Sequence, residues 1–285
     1  MTNTLDRLID ATQDRIVLLA PSTASVSGTF DNVEVNGDRH QSLVEELQRL
    51  RGSVYLKEGA IQRHQMSNDG RHLSPDDDRS WHLLLLDAER EVVGCMLYTE
   101  YDRNVRFEDT RAVLCPLIQE RQWRQTIWRA MEEQLAIARK ARIRYVEFGG
   151  WAAAEHIRRT PGPLGLALAM WAFSRREGGV IGVTTATHRH DSATILKRLG
   201  GATLSIDGEA IPRYFDKRYG CDMELLRFDT RAPKDRYRGA INKWEALLTS
   251  APVIARPSWA YSTPVQPAGQ PALAAPADRA WAAAS

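Results

Sequence analysis

The tract from Arg144 to Gly201 constrains this chain more than any other part of it. Residues 144–154 (RYVEFGGWAAA) read as a strand, 163–176 as a helix, the β-branched run 180–187 (VIGVTTAT) as a second strand, and 191–199 as a short helix stopped by Gly200 and Gly201. A strand, helix, strand, helix succession that returns to one sheet needs a crossover connection, so the two strands must lie side by side and parallel.

The flanking sequence supplies the rest of that sheet. Residues 81–87 (WHLLLLD) and 92–99 (VVGCMLYT) are apolar runs separated by four polar residues, the pattern of an antiparallel hairpin. Leu43, Val44, Leu47 and Leu50 repeat at helical spacing before Gly52, which predicts a helix over 41–51. Trp123, Ile127, Met131, Leu135 and Ala138 form one stripe of a longer helix over 119–141. Runs at 202–206 and 223–228 can close the sheet. The expected fold is α/β: a mixed central sheet flanked by helices, antiparallel at the front and parallel in the middle. Three regions follow: an N-terminal helix (Leu5, Leu8, Ile9, Thr12, Ile16) and mobile loop over 1–39, a core domain over 40–250, and a disordered Pro/Ala-rich tail over 251–285.

Composition removes several classes. A formal charge of +2 gives no reason to expect nucleic acid as a partner. No apolar run has the length of a membrane span and the first residues lack the order of a signal peptide, so a cytoplasmic protein without a transmembrane segment is expected. Cys95, Cys115 and Cys221 are far apart and form no Cys-x-x-Cys pair, which predicts reduced thiols and no metal site.

The junction Arg158-Arg159-Thr160-Pro161-Gly162-Pro163-Leu164-Gly165 joins a strand to a helix. Unpaired amides at a helix start, close approach over glycine and flanking guanidinium groups together make a diphosphate cradle; Pro-Gly-Pro is equally a turn with proline in the first helical turn. With the elements around it, this loop resembles the GNAT superfamily of acyltransferases, most closely its N-acyl amino acid synthase and autoinducer (acyl-homoserine-lactone) synthase branch. Arg159-Thr160-Pro161-Gly162 matches the first part of that family's diphosphate loop, whereas Leu164 stands where the family has Gly or Ala and Gly165 comes one residue late. Asp69, Asp76, Asp77 and Asp78 before the first hairpin strand, the Gly94-Cys95 strand and the late run of Tyr214, Phe215, Asp216, Tyr219, Gly220 and Cys221 fit the same branch.

The resemblance implies a GNAT-like fold in which two central parallel strands splay apart to admit a pantetheine arm. It implies no bound cofactor, with acyl-CoA or acyl-phosphopantetheine on an acyl carrier protein as donor, and a small-molecule amine as acceptor. Gly149, Gly150, Trp151 and Ala152 would meet the donor's arm, and Arg158, Arg159, Thr160, Gly162, Leu164 and Gly165 its diphosphate. Glu147 would take the amine's proton, with Glu155 in that role if the register is shifted; a strand-end carboxylate paired with arginine is the other reading of Glu147, and a surface ion pair that of Glu155. Gly149-Gly150 permits a bulge, or merely close packing. His188 and His190 alternate on an extended segment and could serve as a base or as a polar strand end.

Two departures narrow the activity. Glu147-Phe148-Gly149-Gly150 lacks the arginine of the autoinducer synthases' Glu-x-x-Arg, and Leu97 stands where they carry arginine, so lactone synthesis is not expected. Leu196 occupies the place of the tyrosine that many acetyl-transferring members use as general acid. The expected activity is N-acylation of an amino acid or similar small molecule; acetyl transfer from acetyl-CoA to a small amine and a non-catalytic binding module on the same fold are the alternatives. The cluster Arg139, Lys140 and Arg142 offers a cationic surface that could steer an acidic carrier protein to the pantetheine entrance.

Overall fold

The computed structural model describes residues 4–22, 26 and 29–257. Its strands are β1 (Ile16–Leu19), β2 (Val33–Val35), β3 (Trp81–Leu86), β4 (Val92–Tyr101), β5 (Arg144–Ala153), β6 (Val180–Thr187), β7 (Ala202–Thr203), β8 (Ser205–Ile206), β9 (Glu209–Ala210), β10 (Tyr214–Asp216), β11 (Cys221–Asp229) and β12 (Val253–Ala255). Its helices are α1 (Thr4–Asp10), α2 (Gly37–Lys57), α3 (Arg121–Ala141), α4 (Gly162–Arg176), α5 (Ser192–Leu199) and α6 (Asp235–Ser250). The main sheet runs β10-β11-β6-β5-β4-β3-β1-β12-β2, with β7 also paired to β11.

β3, β4 and β5 are antiparallel neighbours, and β5 and β6 are the expected parallel pair. Alternation along β5 divides the core between two faces. Val146 and Phe148 pack with Leu166, Met170 and Phe173 of α4 and Ile241 and Trp244 of α6. Tyr145 packs on the opposite face with Ile127, Met131 and Leu135 of α3, and α2 covers β1, β3 and β4 farther along that same face. This is the expected mixed α/β sheet flanked by helices, with its parallel pair in the middle.

Several local expectations change. Gly52 does not end α2, which runs on to Lys57; a side chain there would meet the Gly70 carbonyl at 2.6 Å, so the glycine permits a close approach rather than a stop. Ile16, placed by periodicity on the first helix, instead opens the buried strand β1. Val253–Ala255, inside the stretch read as disordered, is the buried β12, inserted between β1 and β2; residues 258–285 of that stretch lie outside the described residues, as do 23–25, 27 and 28 of the segment read as a mobile loop. Helix α6 repeats Ala240, Ile241, Trp244 and Leu248 at helical spacing and buries them.

Candidate active site

β5 and β6 pair over only part of their length. Arg144 to Glu147 face Val180 to Val183 in register, and there the pairing ends, although β5 continues to Ala153 and β6 to Thr187. The Thr184 hydroxyl donates to the Phe148 carbonyl at 2.8 Å and bridges the strands at the fork. Beyond it β5 turns toward β4 through an irregularity: Leu97 faces Gly149 and Cys95 faces Ala152, so Gly150 and Trp151 stand opposite Met96 alone. Two residues against one is a bulge, and Gly150 adopts φ 59°, the left-handed conformation that glycine takes without strain. A side chain at Gly150 would also crowd the Leu97 Cβ at 3.1 Å.

The fork opens into a cavity of about 990 Å³. One wall is apolar: Phe148 of β5, Ala167, Met170 and Trp171 of α4, Leu196 of α5 and Phe228 of β11. The other is polar, formed by Arg51 and Tyr55 of α2 together with His72, Arg111 and Tyr219. Gly149, Gly150, Trp151 and Ala152 of β5 also line the cavity.

Glu147 lies on β5 but does not line the cavity. Its side chain is 4% exposed on the α3 face. Oε2 accepts from Tyr101 Oη at 2.8 Å and the Arg111 amide at 3.0 Å, while Oε1 accepts from the Ala112 amide at 2.9 Å and Tyr145 Oη at 3.2 Å. Four donors saturate a carboxylate. Burial raises its pKa, against the opposing pull of those hydrogen bonds and of the Arg111 charge. The geometry makes Glu147 an anchor for the 3-10 turn Arg111–Leu114 and leaves it no lone pair for an incoming amine. Glu155 is exposed and ion-paired with Lys57 at 2.5 Å, which lowers its pKa; it borders the cavity as a surface ion pair.

The helix-start loop also departs from expectation. Gly162 and Gly165 face inward: a side chain at 162 would meet Leu85 at 2.8 Å, and one at 165 would meet Thr12 of the N-terminal segment at the same distance. Thr160 Oγ1 accepts the Gly162 amide at 3.2 Å, and Pro161 and Pro163 carry no N–H, so few amides remain for a phosphate. Leu164 packs against the larger core cluster. Arg158 and Arg159 do border the cavity; Arg158 is tied to Glu58 at 2.8 Å and to the Ala153 carbonyl at 3.1 Å, and Arg159 is exposed. The two arginines border the cavity, whereas the glycines serve packing.

Arg139, Lys140 and Arg142 do not line the cavity. They end α3 and lead into Arg144, the first residue of β5, about 20 Å along the strand from Gly150 at roughly 3.3 Å per residue. His188 is not in an extended segment either: it starts a 3-10 turn, and its Nε2 sits 3.0 Å from the buried carboxylate of Glu224. The side chain of His190 lies outside the described residues.

Sequence reasoning missed the polar wall. Arg51 Nη2 bonds Asp77 at 2.7 Å with both side chains almost fully buried, and the same nitrogen bonds the His72 carbonyl at 3.1 Å. Burial lowers the His72 pKa and the Arg51 charge lowers it further, so the imidazole is neutral near pH 7. Burial raises the pKa of Tyr55 and of Tyr219, which keeps both hydroxyls protonated. A signal existed for part of this set: Arg51, Val54, Tyr55 and Glu58 recur at three and four residues, one helix face that continues past Gly52 to the cavity.

No protein-family model and no curated protein sequence matches the chain. Among solved structures it is similar to a CoA-dependent acyl-homoserine lactone synthase, BjaI, solved with SAM and isopentyl-CoA, at 14% identity over 85% of this chain and 93% of that one, TM-score 0.48. It is similar to FeeM, an N-acyl amino acid synthase from uncultured soil microbes, at 12% identity over 70% of this chain and 88% of that one, TM-score 0.43. A third likeness is to arylalkylamine N-acetyltransferase 2 from Aedes aegypti, at 15% identity over 69% and 97% of the two chains, TM-score 0.44. Among the described residues no helix is long and apolar enough to cross a membrane.

Proposed function

We propose that the protein transfers an acyl group from a pantetheine thioester, on coenzyme A or an acyl carrier protein, to the amine of an amino acid or similar small molecule. The fork carries this reading: β5 and β6 stop pairing after Glu147 and Val183 while both strands continue. A pantetheine arm laid in the gap would extend the sheet as an added strand does, its amides meeting main-chain groups that the two strands no longer offer each other. Arg158 and Arg159 at the border of the cavity would hold the phosphates by charge-assisted hydrogen bonds.

In the reaction the thioester C–S bond breaks and an amide C–N bond forms; the amine gives up a proton and the thiolate leaving group gains one. The apolar wall of Phe148, Met170, Trp171 and Phe228 would take the acyl chain, and the polar wall the amine. Neutral His72 would accept the amine's proton, directly or through water. Leu196 cannot protonate the thiolate; Tyr55 and Tyr219 are the protonated hydroxyl groups of the polar wall. The apolar wall of the cavity offers more apolar surface than an acetyl group would cover, which favours a longer donor chain.

A series of acyl-CoA thioesters from two to twelve carbons, assayed for thiol release with a mixture of amino acids, tests this. Each methylene buried against the apolar wall adds about 0.8 kcal/mol, nearly fourfold in affinity, until the wall is filled. The expected result is a preference of at least about tenfold for medium or long chains over acetyl. Acetyl-CoA as best donor would reassign the protein to acetyl transfer; tight donor binding without thiol release would make it a binding module.

A further inference from the structure

Resting on that reading of the site, we infer that Arg111 recognises a carboxylate on the acceptor, so that the acceptor is an amino acid bound through its α-carboxylate and not a simple amine. Arg111 lies in the 3-10 turn Arg111–Leu114, outside every segment the sequence singles out. Its backbone amide is pinned by Glu147 at 3.0 Å, and the next amide, of Ala112, by the same carboxylate at 2.9 Å. The side chain then crosses to β5: all three atoms nearest to where a Gly149 side chain would stand belong to the Arg111 guanidinium, with Nη2 nearest. Gly149 is the first β5 residue past Phe148, whose carbonyl marks the fork. The guanidinium therefore sits beside the point where a donor thioester would enter.

The guanidinium keeps donors to spare. Nη1 bonds Asp76 Oδ2 at 3.3 Å, while the other oxygen of Asp76 is taken by Arg79 at 2.7 Å. Among the described residues the Arg111 side chain forms no further hydrogen bond, and the residue lines the cavity. A planar guanidinium with an open edge fits a carboxylate in a two-point contact, which an ammonium does not reproduce. The charges around it are Asp76 and Arg79 on the loop before β3, Glu147 beneath its backbone and Arg51 on the same polar wall, beside Gly150; the two acids are engaged by Arg79, Tyr101, Tyr145 and main-chain amides. The Gly149 position gains a role from this arrangement, because any side chain there would displace the guanidinium.

Two series of equilibrium titrations test the inference. In the first, the twenty proteinogenic L-amino acids and the amine formed from each by loss of its carboxylate are titrated into the full-length protein, wild type and Arg111→Met, with Arg111→Lys as a variant that keeps the charge and loses the fork. At least one amino acid should bind ten times more tightly than its matched amine, with that ratio falling to near one in Arg111→Met and to an intermediate value in Arg111→Lys. Equal binding of every amino acid and its amine by the wild type, or an unchanged ratio in Arg111→Met, overturns the assignment. In the second, an acyl-CoA is titrated into the same proteins. Retained donor binding with no carboxylate preference defeats this inference alone, whereas absent donor binding in the wild type defeats the acyl-transfer reading.

Discussion

The two halves of the β5 and β6 pair make an instructive contrast. Over Arg144 to Glu147 the strands pair in register, and beyond Glu147 that pairing stops, leaving the Thr184 hydroxyl as a bridge to the Phe148 carbonyl while both strands continue. The closed half is sealed from both faces: Tyr145 and Val183 sit in one core cluster, Val146 in another, and Gly182 makes room for the Phe148 ring. The open half has other supports. The bulge at Gly150 draws β5 toward β4, the buried Arg51–Asp77 pair lies behind it, and Glu147 fastens the turn that carries Arg111. A gap in a sheet leaves main-chain groups without sheet partners, so a fold that maintains one must brace it with neighbours outside the sheet.

Asp77→Ala should break that contrast with the largest effect. Removing one partner of a buried ion pair leaves an uncompensated guanidinium behind Gly150, and about 3–5 kcal/mol of stability should be lost. Burial alone would raise the Asp77 pKa, but the Arg51 guanidinium and Gln48 hold it below the ordinary aspartate value of 3.8. The stability this shift contributes is present above pH 3.8 and is lost as pH falls through the lower folded-state value. Denaturant melts at pH 7 and across the acid limb check both points: the variant should start less stable and lose less below pH 3.8 than the wild type.

How much of this was readable from the sequence follows the same division. The closed half depends on local pattern: VIGVTTAT is β-branched, RYVEF alternates, and the intervening helix sets a right-handed crossover, so parallel pairing and its place in the sheet were legible. Glu147 and Gly150 also stand out in the sequence, and the structure gives Gly150 the bulge while making Glu147 an anchor. The braces were not legible. Arg111 reaches Gly149 from a 3-10 turn nearly forty residues upstream in sequence, and Arg51 meets Asp77 across a loop; neither arrangement has a periodic signature. β12 escaped for a different reason, since three strand residues inside a Pro- and Ala-rich stretch are outweighed by the composition around them.

Glu147→Gln sharpens the comparison with a smaller effect. An amide cannot accept from both sides, so one NH2 would oppose a backbone donor of Arg111 or Ala112, and a loss of about 1–3 kcal/mol is expected. The kinetic signature separates an anchor from a base. If Glu147 positions Arg111, the Michaelis constant for an amino acid acceptor should rise while the pH–rate profile keeps its shape; an acidic limb that vanishes in the variant would return Glu147 to the role of proton acceptor.

The smallest expected change comes at the fork itself. Thr184→Val keeps the β-branched shape of the residue but removes the hydroxyl that donates to the Phe148 carbonyl at 2.8 Å. A single neutral hydrogen bond is worth about 0.5–1.5 kcal/mol net, so the thermal midpoint should fall only slightly. Amide hydrogen exchange locates the loss. If the open half is braced from outside the sheet, faster exchange should be confined to residues near 148 and 184, with the amides of 145–147 and 181–183 protected as in the wild type. Exchange that spreads down the paired half would mean that the fork is the free end of one continuous zipper, with the threonine as its last closed tooth.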